Sequence, residues 1–571
     1  MTLLTLLALL VVLLHVVTGA VDISSQAYLP DDYSVKTFST GHGRTRGLHT
    51  LPNGDILLIK AQSRRVVNDD SSIIVFWDDD NDGVADGSHV LVAPGHDLTH
   101  GIEYIRPENN VRGPVGSGLL LASSDRTVYA WPYTHGDRSS NLGLGQTLVY
   151  NMNAQAAGDD LGAYKGHWTR TLAVSPGDQR YLHISVGSRG NVDFDSYRSR
   201  IRRIDLNSTE ADSFDFRQAE IFADGLRNEV GLDFDSKGIL WGVENGADQL
   251  TRNDIGGDIH EDNPAEELNK FDEVGKFYGY PYCFSEYDIP RFGLGRGTQW
   301  AWPWYRTDFG SSWGKNDEWC RTRSQGPALA MQGHSAPLGM AFYDHGKYDV
   351  NKCNSTGTFP PDADGDLFVG FHGSWNRDVP TGYKVVRIPF DGPGGMPIGE
   401  VNDLLAHAGT GATWPSGVRP VDVQFDQCGR LLVSDDGTES IFTITYDGVS
   451  FPALEVIEDS EVVIDSNSTE MAMEGNATAE GGADNSTLIE GGDGSMTAAE
   501  TMSAMADLDL EAEDHSSFVD LSEEGATAMM ESLEGRSSSA AAASFGAPTT
   551  FFASALAAAS LVVVAGMVFV R

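Results

Sequence analysis

The chain has 571 residues, with 82 Asp or Glu against 39 Lys or Arg and a formal net charge of −43. No basic stripe is present to neutralise phosphates, so the sequence excludes nucleic acid as a partner. The net charge says little about other partners because residues 453–550 alone hold 22 acidic side chains and one Arg. What remains is a globular unit of about 430 residues, enough to bury a large core.

Residues 1–20 are predicted to be a signal peptide. An apolar run without charged side chains covers residues 2–17, and the small residues Thr18 and Ala20 suit cleavage after Ala20. A signal anchor is the alternative, but the run is short for a bilayer span of about 20 residues. The sequence therefore predicts export.

One pattern recurs along the globular part: a turn with Gly or Asp, then four or five mostly apolar residues. The copies lie at residues 52–59, 116–123, 177–187, 236–246, 364–374 and 428–437. Regular copies indicate radial repetition, with each copy as an inner strand of a four-stranded blade. The predicted fold is all-β, a six-bladed β-propeller over residues 21–452. A β-sandwich is the alternative. An insertion at residues 258–330 explains the doubled gap between the fourth and fifth copies.

An acidic loop near the first copy has the spacing of a calcium-binding loop. Asp78, Asp80 and Asp82 alternate and are followed by Gly83. The twelfth position is His89 rather than Glu, so a complete EF-hand is not supported. A structural calcium site and a solvated acidic turn both stay open.

Polar residues beside the strands are the candidates for a functional site, because a propeller collects its site from loops at one end of the channel. His167 precedes the third copy and is suited to act as a general base, since the ordinary pKa of His is near neutral. Arg227 and Asn228 precede the fourth copy and offer planar donors for carboxylate or quinone oxygens. A structural His and a structural ion pair are the respective alternatives.

The loops of the later copies add a backbone site and several cations. Gly246 permits unusual backbone geometry, so that adjacent carbonyls could converge on a hard cation such as calcium. Polar side chains next to the last two copies are His334, Asn376, Arg377, Lys384 and Arg419. Cations gathered at one locus of an acidic chain suit an anionic cofactor.

The cysteines and sequons agree with an exported protein. Cys283, Cys320, Cys353 and Cys428 lack metal-binding spacing, so two disulfides are expected, and the sequence does not choose among three connectivities. Sites for N-glycosylation are Asn207, Asn354, Asn467, Asn476 and Asn485.

The C-terminal part is predicted to be a tether. Residues 453–540 are acidic, nearly free of aromatic residues and rich in small residues, which predicts a disordered, glycosylated stalk. Residues 541–571 contain a neutral spacer and an apolar tail, as in a glycosylphosphatidylinositol (GPI) anchor signal. A C-terminal transmembrane segment is the alternative. With either a GPI anchor or a transmembrane segment, the protein is expected on the extracellular face of the cell membrane.

Five stretches in order resemble the soluble glucose dehydrogenase and sorbosone dehydrogenase family, which includes fungal quinone-dependent pyranose dehydrogenases. They are residues 167–188, 225–248, 266–284, 333–343 and 371–391, within a match that runs with gaps over residues 30–447. The resemblance implies a six-bladed propeller that oxidises a sugar or a sugar aldehyde such as sorbosone. It also implies pyrroloquinoline quinone and calcium as cofactors, and an external quinone or redox protein as electron acceptor.

The resemblance also assigns roles to residues. His167 would take the hydroxyl proton of the sugar, and Arg227 with Asn228 would hold quinone and substrate oxygens. The carbonyls of Gly246 and Ala247 would bind the catalytic calcium, where the family tends to have Gly-Pro. Candidate contacts to the cofactor are Arg46, His100, His334, Asn376, Arg377, Lys384 and Arg419. The Trp-rich run at residues 298–305 could stack on a pyranose ring.

Two other functions are consistent with a propeller. A non-catalytic cell-surface propeller would bind carbohydrate or protein, and the presence of His167, Arg227, Asn228 and Arg419 argues against it. A calcium-dependent lactonase would need a carboxylate cluster around a channel calcium. The family stretches favour the dehydrogenase.

Overall fold

The structure is a computed structural model that describes residues 21–61, 70–153, 166–193, 198–208, 211–303, 314–348, 353 and 357–448. All of them lie in the unit Met1–Glu461, and the second unit, Val462–Arg571, lies wholly outside them. The signal peptide, stalk and anchor predicted above also lie outside the described residues, as do four of the sequons, at Asn354, Asn467, Asn476 and Asn485. Asn207 is described and exposed. No helix in the described part of the chain is long and apolar enough to span a membrane.

Six antiparallel sheets form the blades of a ring, numbered here in chain order. The strands of blades one to three are Thr45–Thr50, Ile56–Lys60, Ser72–Trp77 and Gly87–Val92; Leu98–Ile105, Gly118–Ser124, Val128–Tyr133 and Gln146–Tyr150; and Leu172–Val174, Tyr181–Val186, Arg200–Asp205 and Glu220–Asp224. Those of blades four to six are Glu229–Phe234, Leu240–Glu244, Glu266–Phe271 and Leu329–Met331; Pro337–Phe342, Leu367–Phe371, Lys384–Ile388 and Asn402–His407; and Pro420–Phe425, Leu431–Asp435, Ser440–Tyr446 and Tyr33–Thr40.

Short elements extend this frame. The two-residue strands Phe214–Asp215, Lys276–Phe277 and Ala27–Tyr28 add to blades two, three and five. Single 3-10 turns lie at Ser24–Gln26, Phe216–Gln218, His345–Lys347 and Pro361–Ala363. These additions leave the six-bladed arrangement unchanged.

The ring closes completely. The first strand of each blade contacts the first strand of the next, and the first strand of blade six contacts that of blade one. The outermost strand of blade six, Tyr33–Thr40, comes from the N-terminal part of the chain and pairs with Ser440–Tyr446. Backbone hydrogen bonds therefore join the two ends of the propeller, and the predicted six-bladed fold is confirmed.

The repeated pattern, predicted to be an inner strand of each blade, is the second strand counted from the channel. Each copy forms the second strand of its blade rather than the innermost one; the copy at residues 52–59, for example, runs into Ile56–Lys60, which pairs with Thr45–Thr50 on its inner side. The second strands are buried on both faces, with Leu57, Leu58 and Ile59 fully buried, and so read as continuous apolar runs. The innermost strands carry polar residues and give a weaker pattern.

Buried carboxylates tie neighbouring blades together along the innermost strands. Each accepts the backbone N–H of the next blade's first strand: Glu103 from Val174 at 3.3 Å, Asp233 from Phe342 at 2.8 Å and Asp422 from Leu48 at 2.8 Å. Burial raises the pKa of Glu103 to about 8, that of Asp233 to about 6 and that of Asp422 to about 7. The innermost strands are therefore linked between blades two and three, four and five, and six and one.

The insertion belongs to blade four. It contains the strand pair Cys283–Ser285 and Gln299–Ala301 and the helix Asp317–Arg323. A further strand pair, Thr251–Arg252 with Gly257–Asp258, lies between the second and third strands of the same blade. The disulfides that the sequence left open are Cys283–Cys320 within the insertion and Cys353–Cys428.

Candidate active site

The candidate residues converge because of strand direction. In an antiparallel blade, the first strand begins on the face of the ring where the second strand ends; this face is called the site face below. The loops before first strands and after second strands therefore share it. Predicted residues that lie there are Arg46, His100, His167, Arg227, Asn228, Gly246, Ala247, His334, Asn376, Arg377 and Arg419.

His167 is held by Ser188, which follows the second strand of blade three. The N–H of His167 donates to the Ser188 carbonyl at 2.9 Å, and the ring Nδ1 lies 2.9 Å from Ser188 Oγ. Burial and the positive charges of Arg227 and Arg198 hold the pKa of His167 well below its usual value. His167 is therefore neutral at neutral pH, as a general base must be.

Arg227 is a clamp between loops rather than a free donor. Its guanidinium is 6% exposed, and each of its five N–H groups has a protein acceptor. The acceptors are Asn191 O at 3.1 Å, Asn191 Oδ1 at 3.0 Å, Asp248 Oδ2 at 3.2 Å, Asn245 O at 3.2 Å and Gly246 O at 2.7 Å. As arranged, Arg227 contributes a fixed positive charge and has no N–H left for a quinone oxygen.

Asn228 is buried next to this clamp. Its carbonyl accepts the N–H of Asn245 at 3.1 Å. A Cβ at position 187 would lie 2.5 Å from the side-chain oxygen of Asn228. Gly187 therefore leaves the space that lets this amide sit beside the His167 loop.

Of the two carbonyls predicted to bind calcium, that of Gly246 faces a cation. Gly246 receives the Arg227 hydrogen bond on its carbonyl, and its N–H donates to Glu266 Oε2 at 2.7 Å. Ala247 is buried beside it. A calcium ion on the Gly246 oxygen would have to share that oxygen with a guanidinium group.

Asp248 organises the site, and sequence reasoning did not single it out. One carboxylate oxygen accepts from Asn376 Nδ2 at 2.6 Å and lies 3.5 Å from His334 Nδ1, while the other accepts from Arg227. Burial alone would raise the pKa of Asp248, but the hydrogen bond to His334 and the charge of Arg227 lower it to about 2. Its only signal in the sequence is its position in the loop that follows the second strand of blade four.

His334 is the counterpart of this carboxylate. Its Nε2 donates to the His260 carbonyl at 2.6 Å. Burial opposes a charge on the ring, yet the hydrogen bond to Asp248 and the nearby Glu266 raise the pKa of His334 above its usual value. The Asp248 carboxylate thus favours the protonated form of His334, and both nitrogens of His334 face protein groups.

Arg377 and Lys384, two of the predicted cofactor contacts, form ion pairs with protein carboxylates. Arg377 forms ion pairs with Glu261 at 3.5 Å and Asp262 at 3.1 Å, which join blade five to the loop that precedes the third strand of blade four. Lys384 begins the third strand of blade five and pairs with Asp403 on the fourth strand at 2.6 Å. The third strand lies away from the channel, so the structure does not bring Lys384 to the clamp around Arg227.

A second, cationic group surrounds Asp436, which follows the second strand of blade six. Arg44 and Arg46 each lie 3.3 Å from its carboxylate, and His372 Nε2 lies 2.8 Å away. Arg419 donates to the His372 carbonyl at 3.1 Å. Two guanidinium groups and the His372 ring therefore share one ionised carboxylate, with Arg419 bonded to the His372 backbone beside them. Asp436 with these four residues is called the cationic cluster below.

His100 adjoins the cationic cluster with an unused ring nitrogen. It is 3% exposed, and its Nδ1 has no hydrogen-bond partner among the described residues. Burial and the charge of Arg46 hold the pKa of His100 well below its usual value. A buried polar atom without a partner is uncommon and favours a missing ligand or water at this position.

Trp300 and Trp302, two tryptophans of the insertion, are too buried to serve as a sugar platform. Trp300 is 6% exposed and Trp302 is 3% exposed, and Trp300 Nε1 donates to Glu286 at 2.9 Å. The stacking role predicted for the run 298–305 is wrong for these two residues because they pack in the core; residues 304 and 305 lie outside the described residues. Trp375 instead is 76% exposed, in the loop between His372 and Asn376 on the site face.

The acidic loop of blade one is separate from the candidate site. Asp78, Asp80 and Asp86 bring carboxylate oxygens within 4.8 Å of one another. Asp82 is not a member of this group: its N–H donates to Asp78 at 3.0 Å, and its carboxylate accepts the N–H of Val84 at 2.8 Å. The described geometry therefore groups Asp86, rather than Asp82, with Asp78 and Asp80, and a structural calcium in this loop stays a prediction.

Known proteins resemble the whole described propeller. Residues 27–447 match the family model described as TrAA12-like. A pyrroloquinoline quinone-dependent sugar dehydrogenase of Hypocrea jecorina is 30% identical over 352 residues, which cover 57% of this chain and 71% of that protein. A pyrroloquinoline quinone-dependent pyranose dehydrogenase of Coprinopsis cinerea is 28% identical over 323 residues, covering 54% of this chain and 39% of that longer protein.

Solved structures agree with this match. The holo form of the pyranose dehydrogenase PQQ domain from Coprinopsis cinerea superposes with a TM-score of 0.60 at 25% identity, covering 75% of this chain and 99% of that one. The calcium structure of the Trichoderma reesei family AA12 enzyme gives 0.58 at 27% identity, covering 74% and 97%. The resemblance that the sequence motifs carry is thereby confirmed.

Proposed function

This chain belongs to the TrAA12-like family, and on that premise we propose that it is a sugar dehydrogenase with pyrroloquinoline quinone as its cofactor. The observation that carries the proposal is the placement of His167, held by Ser188, on the same face of the ring as the cationic cluster. When bound, the quinone would accept the two electrons that leave the sugar carbon.

The residues present fit an anionic quinone. The cofactor carries three carboxylates, and the cationic cluster offers Arg44, Arg46 and Arg419 against the single ionised carboxylate of Asp436. The unpartnered Nδ1 of the buried His100 adds a polar group that a ligand would satisfy. Guanidinium groups are suited to this role because their planar N–H pairs match carboxylates.

His167 supplies the base. A sugar hydroxyl placed against its ring would lose its proton to the imidazole as the carbon is oxidised, a contribution of about 10² to 10⁴ in rate. Arg227 and Arg198 disfavour the imidazolium form, so the ring is neutral, and able to accept that proton, before substrate binds. Trp375 offers an exposed indole to the apolar face of the sugar.

The carbonyl of Gly246 does not fit calcium in its present arrangement, because Arg227 Nη1 donates to it at 2.7 Å. We propose that calcium, where it binds, does so only after Arg227 withdraws from that oxygen. No catalytic step is derived through the ion.

The protein is proposed to act on the extracellular face of the cell membrane, tethered through residues 541–571. Two disulfides support an oxidising compartment. Electrons would then leave to an external quinone or redox protein, and sorbosone is a substrate to be tested beside the aldoses.

Reconstitution of the full chain tests the proposal. The protein is titrated with pyrroloquinoline quinone, with and without calcium, and absorbance and dye reduction are followed with a panel of aldoses and sorbosone. Stoichiometric quinone binding with sugar-dependent dye reduction is expected, and His167→Ala should keep the binding and lose the turnover. Absence of quinone binding would return the protein to the non-catalytic carbohydrate- or protein-binding propellers.

A further inference from the structure

We propose that Ser188 is a positioning residue that holds the His167 ring with its proton on Nδ1 and its lone pair on Nε2. The inference rests on the proposed function, in which His167 is the base. It concerns how the chain prepares that base before any substrate or cofactor arrives.

The direction of two hydrogen bonds carries the inference. Ser188 Oγ lies 2.6 Å from the Gly190 carbonyl, which accepts hydrogen bonds and cannot donate them. The single hydroxyl proton of Ser188 is therefore committed to Gly190. At the contact with His167 Nδ1, 2.9 Å away, the hydroxyl must then accept. A neutral imidazole that donates from Nδ1 carries its lone pair on Nε2.

Ser188 is itself fixed at its backbone. It is fully buried, its N–H donates to the Arg227 carbonyl at 2.7 Å, and its carbonyl accepts the N–H of His167 at 2.9 Å. It also lies two residues beyond the end of the second strand of blade three, Tyr181–Val186. The hydroxyl is thus held by the same backbone that holds the His167 loop and the start of blade four.

A hydroxyl partner differs from a carboxylate partner in what it does to a histidine. His334 faces Asp248, and the negative charge favours its protonated form. His167 faces an uncharged hydroxyl and two guanidinium groups, which favour its neutral form. Histidines with unlike partners in one site thereby receive unlike roles, and of these two only His167 is left as a base.

The test uses Ser188→Ala, which removes the acceptor and frees the ring to place its proton on either nitrogen. We expect kcat to fall about tenfold, the factor that one hydrogen bond of ordinary net strength supplies, with KM unchanged. Ser188→Thr keeps a hydroxyl and should recover most of the loss. Ser123→Ala is the matched control, since Ser123 is also fully buried and its Oγ donates to the Arg170 carbonyl at 2.6 Å.

A second measurement does not depend on turnover. In the full chain labelled with ¹⁵N-histidine, the His167 signals are identified by their loss in His167→Gln, and their shifts report which nitrogen carries the proton. In the native protein and in Ser123→Ala, the ring proton is expected on Nδ1. In Ser188→Ala, a mixture of the two neutral tautomers is expected, with the proton on Nδ1 in some molecules and on Nε2 in others. A native ring protonated on Nε2, or an unchanged tautomer in Ser188→Ala, would overturn the inference. Lack of turnover in the native protein would refute the proposed function while these spectra still decide the role of Ser188.

Discussion

Blade four contains a row of buried carboxyl groups whose ionisation should control the stability of the propeller. Glu229, Glu244 and Glu267 are paired across its first three strands, and all three are buried. Asn269 Nδ2 lies 3.3 Å from both Glu229 and Glu244. No cation lies within hydrogen-bond distance of Glu267 among the described residues, and burial raises its pKa to about 7 from an ordinary value of 4.5.

The sign of the effect follows from linkage. Between pH 4.5 and 7 the unfolded chain releases the Glu267 proton while the folded protein keeps it, so the free energy of unfolding falls as pH rises through this window. The loss reaches at most about 3 kcal/mol, at 1.36 kcal/mol for each pH unit. Glu267→Gln keeps the shape of the protonated side chain and has no proton to lose, so its stability should not share this loss.

The assay is urea unfolding at pH 5 and pH 8 for the native protein and for Glu267→Gln. The variant should lose less stability between the two pH values, by about 1 to 3 kcal/mol. Glu273→Gln, at a side chain that is 71% exposed, is the control and should behave as the native protein does. An equal loss in the native protein and in Glu267→Gln would refute the claim that Glu267 is protonated in the fold.

Three predictions concern the site. His167→Ala should lower turnover by about 10² or more with quinone binding retained, as measured by dye reduction and by quinone titration; unchanged turnover would remove His167 as the base. The pKa of His167 lies well below its usual value, so the midpoint of the acid limb of the native kcat/KM profile should lie below pH 6.5, the ordinary pKa of His. A midpoint at or above pH 6.5 would contradict this assignment. Arg46→Met should weaken quinone binding about tenfold or more, whereas Arg203→Met, at an ion pair of blade three, should leave titrations unchanged; equal effects would argue against the cationic cluster.

The sequence by itself determined the number of blades, the place of the insertion and most residues of the site face. The second strand of each blade is buried on both faces, so its apolar run is visible without any knowledge of its neighbours. His167, Arg227, Asn228 and Gly246 stand next to such runs, and strand direction alone then assigns them to one face. Local information sufficed because it was repeated around a closed ring.

Tertiary structure decided which partner each of these residues has. The pairing of Cys283 with Cys320 depends on the fold of the insertion, and the pairing of Lys384 with Asp403 depends on strand register. The same holds for the five acceptors of Arg227 and for the hydroxyl that faces His167. Partners far apart in sequence become neighbours only when the blades pack, so the charge and proton position of a side chain are properties of the assembled ring.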